Sequence, residues 1–275
     1  MAGTCPCERK SRSDPVFTRY KSADCFSSLV YSWEYVMMDL ANRGLRCIAF
    51  DLRGCGRSDQ PWNGYDYDTL ADDLASVLDK LDLRDVTLVG HSMGGGVITR
   101  YLTRHGEARV ARAVLIGTTT PFTLKTPDNP EGIDGAYFDR MVEEIEKDRP
   151  GYVASLAPAF FGSETPEYSV SPAMIDWGVA LTLQASGRAA VALLRANATT
   201  DQRGELRRIT VPTLLLHGDH DVSCPLALTA CRTAVLIPDC RLTVYEGKAH
   251  GIYITDAPRV CADIVDFMEA TAETA

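Results

Sequence analysis

The chain has no run approaching the ~18 consecutive apolar residues that a membrane-crossing helix needs. It also has no basic excess: 28 lysines and arginines stand against 37 aspartates and glutamates, a formal net charge of -9. Phosphate backbones are held by a positive face, so a general nucleic-acid binder is excluded. The opening MAGTCPCERKSRSDPVFTRYKSAD lacks the apolar stretch of a secretory leader and is too polar and irregular to be assigned structure. Cysteine is present without a pairing pattern. There are nine, an odd number, and the only close pair, Cys5 and Cys7, is spaced C-P-C rather than C-x-x-C. Neither a disulfide framework nor a zinc site fits these spacings. Reduced thiols in a cytoplasmic protein, most of them small core residues, are the expectation.

What is there fills 275 residues, room for one large domain with an insertion. Five β-type runs end near Gly or Asp: RCIAFD (46–51), VTLVG (86–90), AVLIG (113–117), PTLLLHG (212–218) and RLTVYEG (241–247). The middle three are continuously apolar, as strands buried on both faces must be. Between the runs lie helical patterns. In YDTLADDLASVLDKLD, Leu70, Leu74, Val77, Leu78 and Leu81 share one face and acids occupy the other, and VCADIVDFMEA repeats the pattern near the end. Alternating strand and helix predicts an α/β fold with a mostly parallel sheet flanked by helices. From about Phe122 to Glu205 no strand is evident. This reads as a helical cap at 122–205 inserted into a core formed by 31–121 and 206–275, with 1–30 an atypical and poorly ordered N-terminal segment.

One hydroxyl stands among glycines after the second of these runs, in Gly90-His91-Ser92-Met93-Gly94. A strand precedes this G-x-S-x-G and a helix can begin in GGGVITRYLTRH. That is the strained strand–turn–helix elbow that presents a serine nucleophile. Gly90 and Gly94 would let the two chain segments approach, and Met93 N–H, at the helix N-terminus, would face a developing oxyanion. A serine needs a base to take its proton. Of the five histidines, His91 and His105 belong to the elbow and its helix. His217 and His220 form an H-x-x-H with no clear third ligand, so no metal is assigned to them. His250, in YEGKAHGIY after the last run, lies where a sheet delivers a side chain to its C-terminal edge. HGDHD offers two acids to orient it, Asp219 and Asp221, and periodicity does not choose between them.

With these residues in hand, the chain resembles the cofactor-free (non-haem) bacterial chloroperoxidase and arylesterase family of α/β-hydrolases. The resemblance runs from about Ser32 to Phe267. It rests on FDLRGCGRSDQPW, YDYDTLADDL, LVGHSMGGG, RYLTRHGEARV, VPTLLLHGDHDVSCPL and YEGKAHG. It implies a catalytic triad of Ser92, Asp221 and His250, with Asp219 structuring its loop, and it implies no cofactor and no metal. It further implies hydrolysis of small carboxylic esters through an acyl-enzyme. Hydrogen peroxide can replace water in such enzymes to give a peracid, which then oxidises halide in solution. FDLRGCGRSD reads as a loop-closing segment whose arginines pair locally. Trp33, Tyr31 and Trp177 are candidates for the substrate pocket. The expected partner is a small ester, with no nucleic acid or membrane and with a homo-oligomer as an option.

The chain departs from the family in one place. The His-Gly-aromatic motif whose last N–H completes the oxyanion hole falls, counting back from Trp33, on Asp24-Cys25-Phe26. The aromatic Phe26 is kept and the His-Gly pair is not. Upstream, FTRYKSA replaces the expected apolar strand. Burying its charges unpaired would cost several kcal/mol each, so the expectation is that it does not pair and the sheet is left short. The abrupt return of the family pattern near Trp33 reads as a differently placed translated start. The competing reading is a non-catalytic or very weakly active protein with a degraded oxyanion loop. A dehalogenase or epoxide hydrolase of the same fold would want a carboxylate at position 92.

Overall fold

In the computed structural model, residues 16–20 (as backbone), 30–163 and 170–272 are described. The strands are β1 (Val16–Tyr20), β2 (Arg46–Phe50), β3 (Val86–His91), β4 (Val110–Ile116), β5 (Thr213–Gly218) and β6 (Cys240–Tyr245). They form one parallel sheet in the order β2-β1-β3-β4-β5-β6. The helices preceding β4 are α1 (Glu34–Asn42), α2 (Tyr67–Lys80) and α3 (Met93–His105). Between β4 and β5 come α4 (Gly135–Phe161), α5 (Pro172–Thr182), α6 (Gly187–Thr199) and α7 (Arg203–Leu206). The short helix α8 (Ala230–Ala234) precedes β6, and α9 (Ile252–Thr255) and α10 (Ala257–Ala272) close the described chain. No helix among the described residues is long and apolar enough to cross a membrane.

The continuous apolar runs are explained by two cores, one on each face of the sheet. On β4, Ala113 and Leu115 pack with α2 and α3, while Val114 and Ile116 pack with α1 and α10; on β5, Leu215 takes the first side and Leu214 and Leu216 the second. Side chains alternate across a strand, so a strand covered on both faces must be apolar at every position. Helix α2 starts where the Asp66 side chain accepts from Thr69 N–H at 2.9 Å, and it buries Leu70, Leu74 and Leu78. Leu81 falls outside the expected stripe. The helix ends at Lys80, and Leu81 is 50% exposed. The charged pattern in α4 runs to Asp148, where the backbone leaves helical geometry two residues ahead of Pro150, because a proline disfavours helix in the residues before it.

One expectation is corrected. Residues 16–20, VFTRY, do pair: β1 lies inside the sheet, with Tyr20 opposite Phe50 on one side and Gly90 on the other. The physical reason is the demand of its neighbours. Without β1, β2 and β3 would each present an unpaired row of N–H and C=O groups to the interior. The β-branched and aromatic residues of VFTRY suit an extended chain.

The chain runs from β1 outward to β2, then returns to place β3 on the other side of β1. A crevice opens at such a reversal, beyond the C-terminal ends of the strands. Ser92 is the first residue after β3.

Candidate active site

Ser92 holds φ 54° and ψ -121°, a left-handed backbone that non-glycine residues adopt only at a cost of about 1–3 kcal/mol. The surroundings fix it there. Ser92 N–H donates to Ile116 O at 2.8 Å, and its carbonyl accepts from Gly95 N–H at 3.1 Å. The turn closes because position 90 has no side chain: a Cβ there would lie 2.6 Å from the Gly94 carbonyl carbon. Ser92 does not use its hydroxyl to cap α3. Met93 opens that helix, where a backbone N–H has no acceptor one turn back.

Asp221 and His250 come from the loops after β5 and β6, which meet at another glycine. A Cβ on Gly218 would sit 2.1 Å from Lys248 O, and His220 N–H donates to that same carbonyl at 3.0 Å. At this crossing His250 Nδ1 lies 2.6 Å from Asp221 Oδ2, both side chains fully buried. The other carboxylate oxygen accepts from Cys224 N–H at 2.7 Å. An ionised carboxylate only accepts, so the imidazole proton belongs on Nδ1 and the neutral ring keeps its lone pair on Nε2. Asp219 is differently placed. It is exposed, and its Oδ1 accepts from Gly247 N–H at 2.6 Å, tying the two loops together.

Cys224 joins the two halves of the site. Its Sγ is 4.0 Å from Ser92 Oγ and within 4.8 Å of both a carboxylate oxygen of Asp221 and a ring nitrogen of His250. These three residues are the candidate metal donors among those described. Their geometry fits poorly, because a 2.6 Å nitrogen–oxygen separation is a hydrogen bond rather than two vertices of one tetrahedral ion with donors at ~2.0 Å. The H-x-x-H pair does not converge either: His217 is buried and His220 exposed.

Two further histidines brace this arrangement, and the motifs gave no direct signal for either role. His91 Nε2–H donates to the His250 carbonyl at 3.0 Å, and its ring lies 4.4 Å from the His250 and Tyr253 rings. His217 Nε2–H donates to the Cys224 carbonyl at 2.7 Å, and Asp221 Oδ2 is 3.4 Å away. Burial pushes the pKa of His217 down, with the Asp221 charge acting in the opposite sense. The loop FDLRGCGRSD is held by its arginines. Arg57 reaches Asp51 at 3.7 Å within the loop, while Arg53 makes a two-pronged bond to Asp73 on α2 at 2.7 Å.

A cavity of about 160 Å³ reaches Cys224 from the helical segment between β4 and β5. Its wall is mostly apolar, with Phe138, Met141, Leu156 and Phe160 among its members. The three aromatics expected to line a pocket are not among the described residues of this cavity's wall. Trp33 is 1% exposed and packs on Tyr253 in the core at 4.6 Å; Tyr31 is 51% exposed under the Arg57 guanidinium; Trp177 stands edge-on to Tyr35. Aromatic residue type alone does not distinguish core from cavity wall. Asp24, Cys25 and Phe26, and with them the expected second oxyanion donor, lie outside the described residues.

A parallel sheet with a serine elbow at its strand-order reversal, and an acid and a histidine on the loops after β5 and β6, defines an α/β-hydrolase type of molecule. The alpha/beta hydrolase fold family model matches residues 25–257, and the chain belongs to that family. It is 41% identical over 241 residues to a non-heme haloperoxidase of Rhodococcus erythropolis, covering 86% of this chain and 87% of the relative. It is 33% identical over 240 residues to a bifunctional esterase/perhydrolase of Acinetobacter calcoaceticus, covering 86% and 87%. A bromoperoxidase structure from Bacillus anthracis superposes with a TM-score of 0.88 at 32% identity, covering 93% of this chain and 92% of that one.

Proposed function

We propose that the protein is a serine esterase that cleaves small carboxylic esters through an acyl-enzyme and that also carries out cofactor-free perhydrolysis. Ser92 Oγ attacks the ester carbonyl as its proton passes to His250 Nε2. Asp221 holds Nδ1–H and stabilises the imidazolium that forms. Met93 N–H, together with Phe26 N–H, receives the negative charge on the carbonyl oxygen. His250 then returns the proton to the departing alcohol. Water attacks the acyl-serine to release the acid. Hydrogen peroxide attacking the same carbonyl releases a peracid and restores the serine hydroxyl, and that peracid oxidises halide outside the site. The segment 122–205 serves as a cap whose apolar wall shields the acyl group. No disulfide joins two of the described cysteines, in keeping with a cytoplasmic setting.

The observation that carries this reading is the buried 2.6 Å bond between His250 and Asp221 on the loops facing the strained Ser92 elbow. A second reading, a hydrolase fold with little or no activity, rests on Asp24-Cys25 replacing His-Gly. An acid beside a developing oxyanion is unfavourable, and one lost donor costs about 100–1,000-fold in rate. One assay separates them: p-nitrophenyl acetate hydrolysis by the wild type beside Ser92→Ala. The esterase reading expects the variant to fall at least about 1,000-fold, and equal rates would sink it. Activity gained on Asp24→His with Cys25→Gly would trace any weakness to the oxyanion loop.

A further inference from the structure

The cavity wall carries a polar feature that ester cleavage at Ser92 does not use. Thr123 lines the cavity and is only 6% exposed, and its Oγ1 is buried without a hydrogen bond to any described residue. A buried hydroxyl without a partner costs about 1–3 kcal/mol, so its persistence in a mostly apolar wall calls for an occupant. The hydroxyl cannot easily swing away. Ile133 N–H donates to Thr123 O at 2.7 Å, and the Asn129 side chain ties the flanking Phe122 and Leu124 carbonyls at 3.3 and 2.7 Å. Arg232 in turn holds Asn129 Oδ1 at 2.7 Å, and the branched Thr side chain has few rotamers. Asn197 is among the other polar residues of the wall. Asn197 Oδ1 accepts from Tyr67 O–H at 2.9 Å, which leaves its NH2 as the end not so engaged. Among the described residues, no Lys, Arg, Asp or Glu contributes to the wall.

We propose that Thr123 is a specificity determinant. It accepts esters whose non-reacting part is an apolar chain interrupted by one neutral oxygen (ether, ketone or hydroxyl), with Asn197 as a second donor. The proposal rests on the esterase reading and deepens it. An ionised second carboxylate is disfavoured as the recognised group, because the described wall residues offer no cation and burying the charge unpaired is costly. A plain hydrocarbon chain fits the wall but leaves the hydroxyl unanswered. An ether or carbonyl oxygen at the right carbon accepts from Thr123 O–H and recovers that loss.

The test is a panel of chromogenic esters of equal length: p-nitrophenyl hexanoate and its 3-, 4- and 5-oxa isomers, each with one CH2 replaced by oxygen. With the wild type, at least one oxa isomer is expected to exceed the hexanoate in kcat/KM by about two- to tenfold, the net worth of one hydrogen bond. Thr123→Val, nearly the same shape, is expected to reverse that preference while leaving p-nitrophenyl acetate hydrolysis and Tm within error or higher. Thr123→Ser is expected to retain the preference. Preference for the hexanoate over every oxa isomer by the wild type, or an unchanged ratio in Thr123→Val, would overturn the proposal. Equal acetate hydrolysis by wild type and Ser92→Ala would overturn the esterase reading, and the specificity proposal with it. Normal acetate hydrolysis without an oxa preference overturns the specificity proposal alone.

Discussion

Replacing Asp221 by asparagine keeps the shape of the side chain but removes its charge and turns one of its two acceptors into a donor. In the site both oxygens face donors: Oδ2 takes His250 Nδ1–H at 2.6 Å and Oδ1 takes Cys224 N–H at 2.7 Å. Asparagine has one acceptor for these two donors. If its oxygen stays with Cys224, its NH2 faces Nδ1. The imidazole must then hold its proton on Nε2, where it cannot receive the one from Ser92. If its oxygen stays with His250, the NH2 confronts the Cys224 N–H, and a buried donor without an acceptor costs about 1–3 kcal/mol. Either way the negative charge that stabilises the imidazolium is gone. In Ser-His-Asp sites the wrong tautomer costs about 10,000-fold in kcat, or about 5.5 kcal/mol of barrier. We expect a loss of about 1,000- to 10,000-fold in kcat for p-nitrophenyl acetate, with unfolding free energy reduced by no more than about 3 kcal/mol. The matched control is Asp219→Asn. Its Oδ1 accepts one N–H, from Gly247, at an exposed position, and an amide oxygen accepts it equally well, so activity should stay within a few-fold. An Asp221→Asn variant within tenfold of wild type, or a collapse on Asp219→Asn, would refute this assignment of the acid.

Three further outcomes follow from packing and burial. Gly90→Ala places a methyl 2.6 Å from the Gly94 backbone, so the elbow must open; a loss on the order of 3 kcal/mol should appear as a drop of about 6–12 °C in Tm, together with loss of esterase activity. Leu74→Ala, wholly buried in α2, should cost about 2–5 kcal/mol in urea unfolding and leave kcat per folded molecule within a few-fold, because Leu74 is a core residue and not one of the cavity wall. His217 has a folded pKa below the unfolded value of about 6.5. Above that value both states are neutral and its contribution to stability is fully present. As pH falls below it, the unfolded chain takes up a proton that the folded protein refuses, and stability is lost until the folded pKa is passed. Tm measured from pH 8 to 5 should therefore fall more steeply for wild type than for His217→Gln, and equal slopes would remove His217 from the acid response.

Some of this was written in short stretches of sequence and some was not. Strands β3, β4 and β5 were legible because two cores demand apolar residues at every position. Ser92 was legible because G-x-S-x-G is a local solution to a local problem, a close approach between Gly90 and Gly94. β1 was misread because its place depends on the backbone needs of β2 and β3, which VFTRY itself does not record. The choice between Asp221 and Asp219 could not come from periodicity, since both stand in one five-residue stretch. It depends on a turn, with Asp221 N–H reaching Gly218 O at 3.3 Å, that carries residue 221 inward and leaves 219 at the surface. Cys224 lies 132 positions from Ser92, yet its Sγ is 4.0 Å from Ser92 Oγ. No pattern in either neighbourhood encodes that distance. It follows from β3, β4 and β5 being adjacent in the sheet, so the chemistry nearest the nucleophile is set by strand order rather than by motif.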